Sequence, residues 1–530
     1  MKIKKETIIL ISLIFFSSYV SIIVGMSWDE IIHQDNGRNI IRYLLSFGNL
    51  EYKSLPNIPF HFGFYDAFSH FVASTVPSKF TVYSNHLTNM LFSISAIFGI
   101  TQFTKILFNK QISKIVFFLT FINPIFFGHM SINPKDTIIA FSLIWLSVLI
   151  LKYIKFQHVD FKRKKYTYLI GITLFIGIGV RLTFLGTLIP IILILFYEII
   201  FNKEDNKEFK FKFLFIDFFK VLLIALIITI IFWPEMHQNL FRPQDVIIDY
   251  IDHFKNGNYG LYWGLLDGKI INQSDTPSNY LIINFFYKMP EFFIISLPFI
   301  FLILLFDFNF LSKKVNNFKK NFIYLLLFIF IPVSLFYFLS IKVIVGLKFF
   351  LFLVPFLSII PALVFYYFLE KRNFISKFLV VVFSFLVLFY FLAFVKITPY
   401  QYTYINSFNG KFSNNINKFE NDYWGISLKE LIYNFRDQYP IIKDKQYRIA
   451  FCGIGTDIAE YYLKKIDILK YIKVSNNDEY DFIIMTNRLN GNKYDVIKNI
   501  DSCYNEFTGK DLFYIERMDL KLSILRSKKN

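Results

Sequence analysis

Charge is scarce in this chain. Only 18% of its 530 residues are Asp, Glu, Lys or Arg, while 55% are hydrophobic and 20% aromatic. A soluble protein of that length cannot hide so much apolar surface. Cysteine is scarcer still. Cys452 and Cys503 are the only two, so there is at most one disulfide, and two residues so far apart are a weak basis for expecting it. No paired Cys/His metal spacing, no P-loop, no internal repeat and no low-complexity linker occur. Gly453-x-Gly455 has Ile458 where a dinucleotide loop needs its third glycine, so it reads as a tight strand-to-helix turn.

What is present is long apolar runs. They cover 8–24, 90–107, 138–151, 213–232, 292–306, 322–339, 349–369 and 378–395, close to the length that crosses about 30 Å of hydrocarbon as a helix. The run 115–127 is short for a span. The stretch 168–200 is too long for one and is broken near Arg181, so it reads as two. The expectation is an α-helical polytopic membrane protein with about eleven transmembrane helices.

The net charge of +18 matters through its placement. With the N-terminus cytoplasmic, the inside segments 1–6, 105–114, 152–165, 203–212, 313–320 and 370–377 hold 23 Lys and Arg, whereas the short outside loops hold only Lys135, Arg181, Lys342 and Lys348. This is the positive-inside asymmetry of a bacterial inner-membrane protein. The basic charge is then topology and contact with anionic membrane lipids, with no nucleic-acid partner. The first run lacks an A-x-A site and is followed by many more, so it reads as an uncleaved anchor.

Residues 1–396 form the membrane part, with outer loops 26–81 and 234–290. Residues 397–530 follow as a small periplasmic α/β domain. There, 447–451 and 480–485 read as strands, 457–465 as a helix and 512–525 as a final strand pair.

Four polar constellations fall at the outer ends of spans. Trp28-Asp29-Glu30 follows the first run. Two carboxylates beside hydrocarbon are costly unless used, although solvated residues at a helix end would look the same. In Asn133-Pro134-Lys135-Asp136, capping the next helix suffices for Asp136, but not for Lys135 against the charge asymmetry. Arg181 and Lys348 sit at span ends, where snorkelling is the bland account. With Lys135 they form cations at one depth, suited to an anionic headgroup such as a phosphate. Pro399-Tyr400-Gln401-Tyr402 leads through Asn406 and Asn409-Gly410 to Glu420-Asn421-Asp422-Tyr423-Trp424-Gly425. Those residue types suit an interfacial belt or a sugar equally. His33, His61, His70, His86, His129 and His237 also fall outside, without ligand spacing, and read as structural.

Taken in order, Trp28-Asp29-Glu30, Asn133-Pro134-Lys135-Asp136, Lys348-Phe349-Phe350-Leu351-Phe352, Pro399-Tyr400-Gln401-Tyr402-x-Tyr404-x-Asn406 and Asp422-Tyr423-Trp424-Gly425 resemble the GT-C class of membrane glycosyltransferases. The likeness is to the group of dolichyl-phosphate-mannose protein mannosyltransferases and lipid A aminoarabinose transferases (glycosyltransferase family 39-like). It covers the membrane part and the start of the tail. It implies transfer of a sugar, with inversion, from a polyprenyl-phosphate-linked donor to an acceptor on the periplasmic face. Asp29 then resembles the catalytic acidic residue, with Glu30 its neighbour. Asp136 matches a second acidic position, supporting Asp29 or a divalent metal ion. Lys135, Arg181 and Lys348 would bind the donor phosphate, with Lys348 where the family often has Arg. Tyr400, Asn406, Asp422, Tyr423 and Trp424 would contact acceptor or sugar. The chemistry agrees, since a leaving lipid phosphate needs cations rather than a proton donor, and a carboxylate can deprotonate the acceptor. The rival readings are a transporter or flippase, for which charges near the midplane and paired repeats would be expected, and a non-catalytic relative.

Overall fold

The computed structural model describes residues 5–53, 62–200, 209–256, 263–439, 445–466, 470–475, 479–491, 497 and 500–528. His61 and part of the basic segment 203–212 lie outside these residues. The first helices are α1 (Lys5–Ile23), α2 (Glu30–Leu45), α3 (Phe64–Ser74), α4 (Thr81–Leu107), α5 (Lys110–Phe121), α6 (Pro124–His129), α7 (Asp136–Phe156) and α8 (Asp160–Ile178).

Eight helices among the described residues are long and apolar enough to cross a membrane, or nine if the bent pair Tyr280–Lys288 and Glu291–Phe306 counts as one span. The expectation of about eleven differs at two places. The run 115–127 is split by Asn123-Pro124 into α5 and the six-residue α6, because Asn123 caps the new helix and Pro124 opens it. In α8, the first turns carry Asp160, Lys162, Arg163, Lys164 and Lys165, which leaves a short apolar remainder.

Two kinds of span can be told apart by burial. In the apolar stretch of Lys348–Lys371 89% of the residues are buried and in that of α7 72%, whereas in those of α1, Phe211–Phe232 and Phe374–Lys396 only 17% are. The peripheral helices therefore hold Phe215, Leu223, Phe378, Phe385 and many similar side chains outward. Water does not tolerate a continuous apolar surface of that kind, and hydrocarbon does. The chain is a multi-pass membrane protein. Within the core, Phe328 and Phe356 stack at 4.3 Å, and Phe103 meets both edge-on.

The bend of 113° between Tyr280–Lys288 and Glu291–Phe306 has a local cause. Pro290 lacks an N–H and forces Met289 into extended backbone (φ −85°, ψ 148°). The carbonyls freed by the break are met from elsewhere. Asn406 donates its side-chain amide to the carbonyls of Phe286 (2.5 Å) and Met289 (2.9 Å), and its backbone N–H to that of Tyr287.

The hairpin β1 (Trp263–Leu266) and β2 (Lys269–Asn272) lies in the second loop. The tail contains β3 (Gln446–Cys452), β4 (Lys470–Lys473), β5 (Phe482–Thr486), β6 (Leu489–Asn490), β7 (Asp501–Ser502), β8 (Lys510–Arg517) and β9 (Leu520–Ser527). Its main sheet has the order β4-β3-β5-β9-β8, with β3 parallel to β4 and β5, and β9 antiparallel to β5 and β8. The helix Thr456–Lys465 makes the β3–β4 crossover. Met518 and Asp519 both have positive φ, which is the two-residue turn whose twist suits the β8–β9 hairpin. Gly453 turns the chain at φ +67°, where an added Cβ would press on Cys503 Sγ and Arg488. Cys452 and Cys503 are joined by a disulfide, against the weak expectation from their spacing. The folded sheet brings together what 51 residues of sequence separate.

The sheet region packs on the end of the bundle where α1 finishes and α7 begins. Met26 donates its N–H to the Tyr462 hydroxyl (2.8 Å), and Lys429 reaches the Ile22 carbonyl at the last turn of α1 (2.7 Å).

Candidate functional site

The chain leaves α1 into a loop pinned closely to the tail. A Cβ on Gly25 would lie 2.3 Å from the Ile426 carbonyl oxygen, so only glycine lets the two backbones approach. Trp28 donates its N–H to the Trp424 carbonyl (3.1 Å), and Arg488 covers the Trp28 ring. The next two residues diverge. Glu30 turns inward, is 5% exposed, and accepts from the Ser27 N–H (2.6 Å) and from His86 Nε2 (2.9 Å). Asp29 turns the other way, remains 29% exposed, and takes Lys135 Nζ at 2.8 Å.

Lys135 and Asp136 are held by Asn133. Its side-chain oxygen accepts the N–H groups of Lys135 (3.2 Å) and Asp136 (3.0 Å), which is the capping task expected of Asp136. The Asp136 carboxylate is therefore engaged otherwise. One oxygen takes the Asn133 amide (2.9 Å) and the other Arg181 Nη1 (3.2 Å). Asn133 also points its amide at His129 Nδ1 (3.4 Å), which makes that nitrogen the acceptor and leaves Nε2–H to donate to the Tyr423 hydroxyl (3.0 Å).

Lys348 opens the most buried span through a short 3₁₀ turn, Lys348–Leu353. Its ammonium lies 5.1 Å from the Phe349 ring centroid and 5.2 Å from that of Trp424. It has no ion pair among the described residues, yet feels the charges of Asp29, Lys135, Asp136 and Arg181. Arg181 shares the same Phe349 ring at 5.6 Å.

Three cations and two carboxylates thus meet where α1 ends and where α7, Leu182–Ile200 and Lys348–Lys371 begin. The locus carries a net positive charge. Burial alone would raise the Asp29 carboxyl. The charges of Lys135, Lys348 and His33, with the hydrogen bond from Lys135, outweigh it and hold the group well below the usual carboxylate range.

The aromatic constellation divides. Trp424 and Tyr423 face the cation cluster through Lys348 and His129. Tyr400, Asn406 and Asp422 do not. The Tyr400 hydroxyl donates to Glu430 (2.6 Å). Asn406 closes the helix break at Pro290. Asp422 accepts from Tyr402, from Ser427 Oγ and from the N–H groups of Ile426 and Ser427, which ties down the turn ahead of the helix Leu428–Gln438. His86 and His129, both read as structural from spacing, do hold neighbours of the site in place.

Each Asp136 carboxylate oxygen accepts one hydrogen bond, from Asn133 and from Arg181, so a divalent ion there would share the carboxylate with both. Among the described residues no three His, Cys, Asp or Glu side chains converge as a ligand set. Lys288 also lies beside Tyr423, and its one signal in the sequence is a lone Lys in front of Met289-Pro290.

A helical bundle with this connectivity, loops gathered at one end and a small sheet against them has the GT-C fold of membrane glycosyltransferases. The solved structure that carries this conclusion is ArnT from Cupriavidus metallidurans bound to undecaprenyl phosphate, with a TM-score of 0.50 and 10% identity over 98% of this chain and 97% of that one. ArnT in the apo state is similar at TM-score 0.48 with 10% identity, over 98% and 97%. The Archaeoglobus fulgidus oligosaccharyltransferase tethered with an acceptor peptide matches at 0.44 with 12% identity, over 90% of this chain and 69% of its own. No family model and no curated protein matches the sequence.

Proposed function

We propose that the chain transfers a sugar from a polyprenyl-phosphate donor to an acceptor at the non-cytoplasmic membrane face, with inversion. The observation that carries this is the unbalanced cation cluster at the rim of the bundle, with a carboxylate inside it. Lys135, Arg181 and Lys348 outnumber Asp29 and Asp136 in a half-buried place, and such an excess is stabilised by an anion. A lipid phosphate suits it, since the polyprenyl tail remains in hydrocarbon while the sugar reaches the loops. ArnT, which shares the fold, was crystallised with undecaprenyl phosphate. Two features support placing this rim outside the cytoplasm. Basic residues are concentrated at the opposite span ends, and Cys452–Cys503 is the kind of bond that persists in an oxidising compartment.

In the reaction, Asp29 accepts the proton of the acceptor hydroxyl as that oxygen bonds to the anomeric carbon. The bond from the anomeric carbon to the phosphate oxygen breaks, and its electron pair stays on the phosphate. The phosphodiester gains one negative charge as it becomes a monoester. Lys135, Arg181 and Lys348 are aimed at that developing charge.

The Asp29–Lys135 pair makes the order of events matter. While Lys135 holds Asp29, the carboxylate is a weak base. A phosphate that draws Lys135 and Lys348 toward itself weakens both attractions and raises the basicity of Asp29. The base is therefore armed when the donor is seated. The deciding experiment is transfer by the purified protein from a panel of polyprenyl-phosphate sugars, with and without chelator. Release of polyprenyl phosphate with sugar on an acceptor is expected, and no transfer from any member would overturn the reading.

A further inference from the structure

A second cation lies behind the first cluster and has no counterpart in the mechanism above. Lys288 ends the helix Tyr280–Lys288 just before the Pro290 break, and is 7% exposed. Among the described residues its ammonium has neither hydrogen-bond nor ion-pair partner. It hangs 5.7 Å from the ring centroids of both Phe419 and Tyr423, in a cleft also lined by Tyr280, Asn284, Gly346 and Glu420.

Two details indicate that the space is kept for this group. Gly346 adopts φ +64°, and a Cβ there would sit 2.6 Å from Lys288 Nζ. Any other residue would be strained and would push the ammonium aside. Glu420, the acidic residue of the cleft, attracts Lys288 without pairing with it. Its Oε1 accepts the Leu489 N–H (3.2 Å) and lies 3.7 Å from Arg488 Nε. Arg488 and Lys288 thus face one carboxylate. A desolvated ammonium without a partner is costly, and the cost falls when an anion enters.

The cleft adjoins the reaction site. Tyr423, which floors it, accepts from His129, and His129 is joined through Asn133 to Asp136. Lys288 also shares the loop Val345–Lys348 with the first cluster, through Gly346.

Resting on the function proposed above, we infer that Lys288 is an anion subsite for one small oxyanion substituent, a carboxylate or phosphate ester, carried by the sugar or by the acceptor and distinct from the donor phosphate. Asn284 and Tyr280 shape the cleft around it, and Glu420 restricts it to a single negative group.

The test has a binding arm and a transfer arm, on the full-length purified protein. In the first, thermal stabilisation by glucose 6-phosphate is compared with that by glucose for wild type, Lys288→Met, Lys288→Arg and Lys348→Met. The preference for the phosphorylated sugar is expected to fall roughly 10- to 100-fold in Lys288→Met, to be largely kept in Lys288→Arg, and to survive in Lys348→Met. A wild type without preference, or a preference lost in Lys348→Met and kept in Lys288→Met, overturns the subsite. In the second arm, transfer is measured with undecaprenyl-phosphate glucose or glucuronic acid as donors, and octyl glucoside or its 6-phosphate as acceptors. A Lys288→Met defect confined to the uronic donor assigns the anion to the sugar. One confined to the phosphorylated acceptor assigns it to the acceptor. An equal loss with every pair overturns the subsite. Persistence of the glucose 6-phosphate preference without any transfer would sink the activity and leave the subsite standing.

Discussion

Replacing Asp29 by asparagine separates two effects that the carboxylate has on the donor. As the proposed base it lowers the barrier, and as an anion beside the phosphate it opposes binding. The geometry sets the second effect. Asp29 Oδ2 lies 2.8 Å from Lys135 Nζ. A phosphate oxygen on another N–H of that ammonium would also be about 2.8 Å away, which puts the two oxygens about 4.5 Å apart. Two unit charges at that separation repel by about 1 kcal/mol in water and about 4 kcal/mol at an effective dielectric of ~20. Asp29 is 29% exposed, so the lower part of that interval applies, about 1–2 kcal/mol, or roughly 5- to 30-fold in affinity. Asp29→Asn should therefore bind undecaprenyl phosphate more tightly than wild type. Its turnover should fall by roughly 10²- to 10⁴-fold through loss of the base. Tryptophan fluorescence titration of the purified protein reads the first quantity, with Trp424 beside Lys348 as reporter. Single-turnover transfer reads the second. Weaker binding with lost turnover would mean that the substitution damaged the loop, and retained turnover would remove Asp29 from the chemistry.

Three other outcomes follow from the same contacts. Lys348→Met should weaken undecaprenyl phosphate by about tenfold or more with little change in the unfolding temperature, because Lys348 has no ion pair among the described residues and gives up only its contacts with the Phe349 and Trp424 rings; binding and a thermal melt on one sample check both. Gly128→Ala should lower stability by roughly 1–3 kcal/mol, since the new Cβ would lie 2.2 Å from the Tyr402 nitrogen, and a reduced melting temperature shows it. Cys452 and Cys503 should resist maleimide in intact protein and react after reduction from the outer face; labelling that requires access from the cytoplasm would invert the proposed orientation.

The legible part of the fold was the part governed by short-range pattern. Apolar runs of spanning length marked the central helices, and alternation with turn residues marked β3, β5 and the β8–β9 hairpin. Patterns failed where a polar residue served a neighbour distant in sequence. Asn406 looks like a sugar-binding amide, but it repairs the carbonyls exposed by Pro290. Asp422 sits in an aromatic-acidic run and instead ties down the turn ahead of the helix Leu428–Gln438. Asp136 stands at a helix start, where capping is the natural expectation, and Asn133 has already taken that task. In each case hydropathy and spacing place the backbone, while the partner is supplied by another segment.

The same distinction bears on how far the site itself could be read. Lys135, Arg181 and Lys348 stood out because each opposes the charge asymmetry of a membrane chain, a global rule that a single sequence contains. Lys288 breaks the same rule but lies at the edge of a long loop, where a Lys looks ordinary. Only the glycine at position 346 and the crowded rings of Phe419 and Tyr423 set it apart. Asp29 and Glu30 make the point most sharply, because adjacent carboxylates are interchangeable by composition. A buried imidazole at His86 draws Glu30 inward, and Lys135 draws Asp29 toward the rim. Neither partner lies within fifty residues. The assignment of the reacting carboxylate therefore depends on which loop carries the lysine: Asp29→Asn should abolish the rim ion pair, while Glu30→Gln should leave it in place.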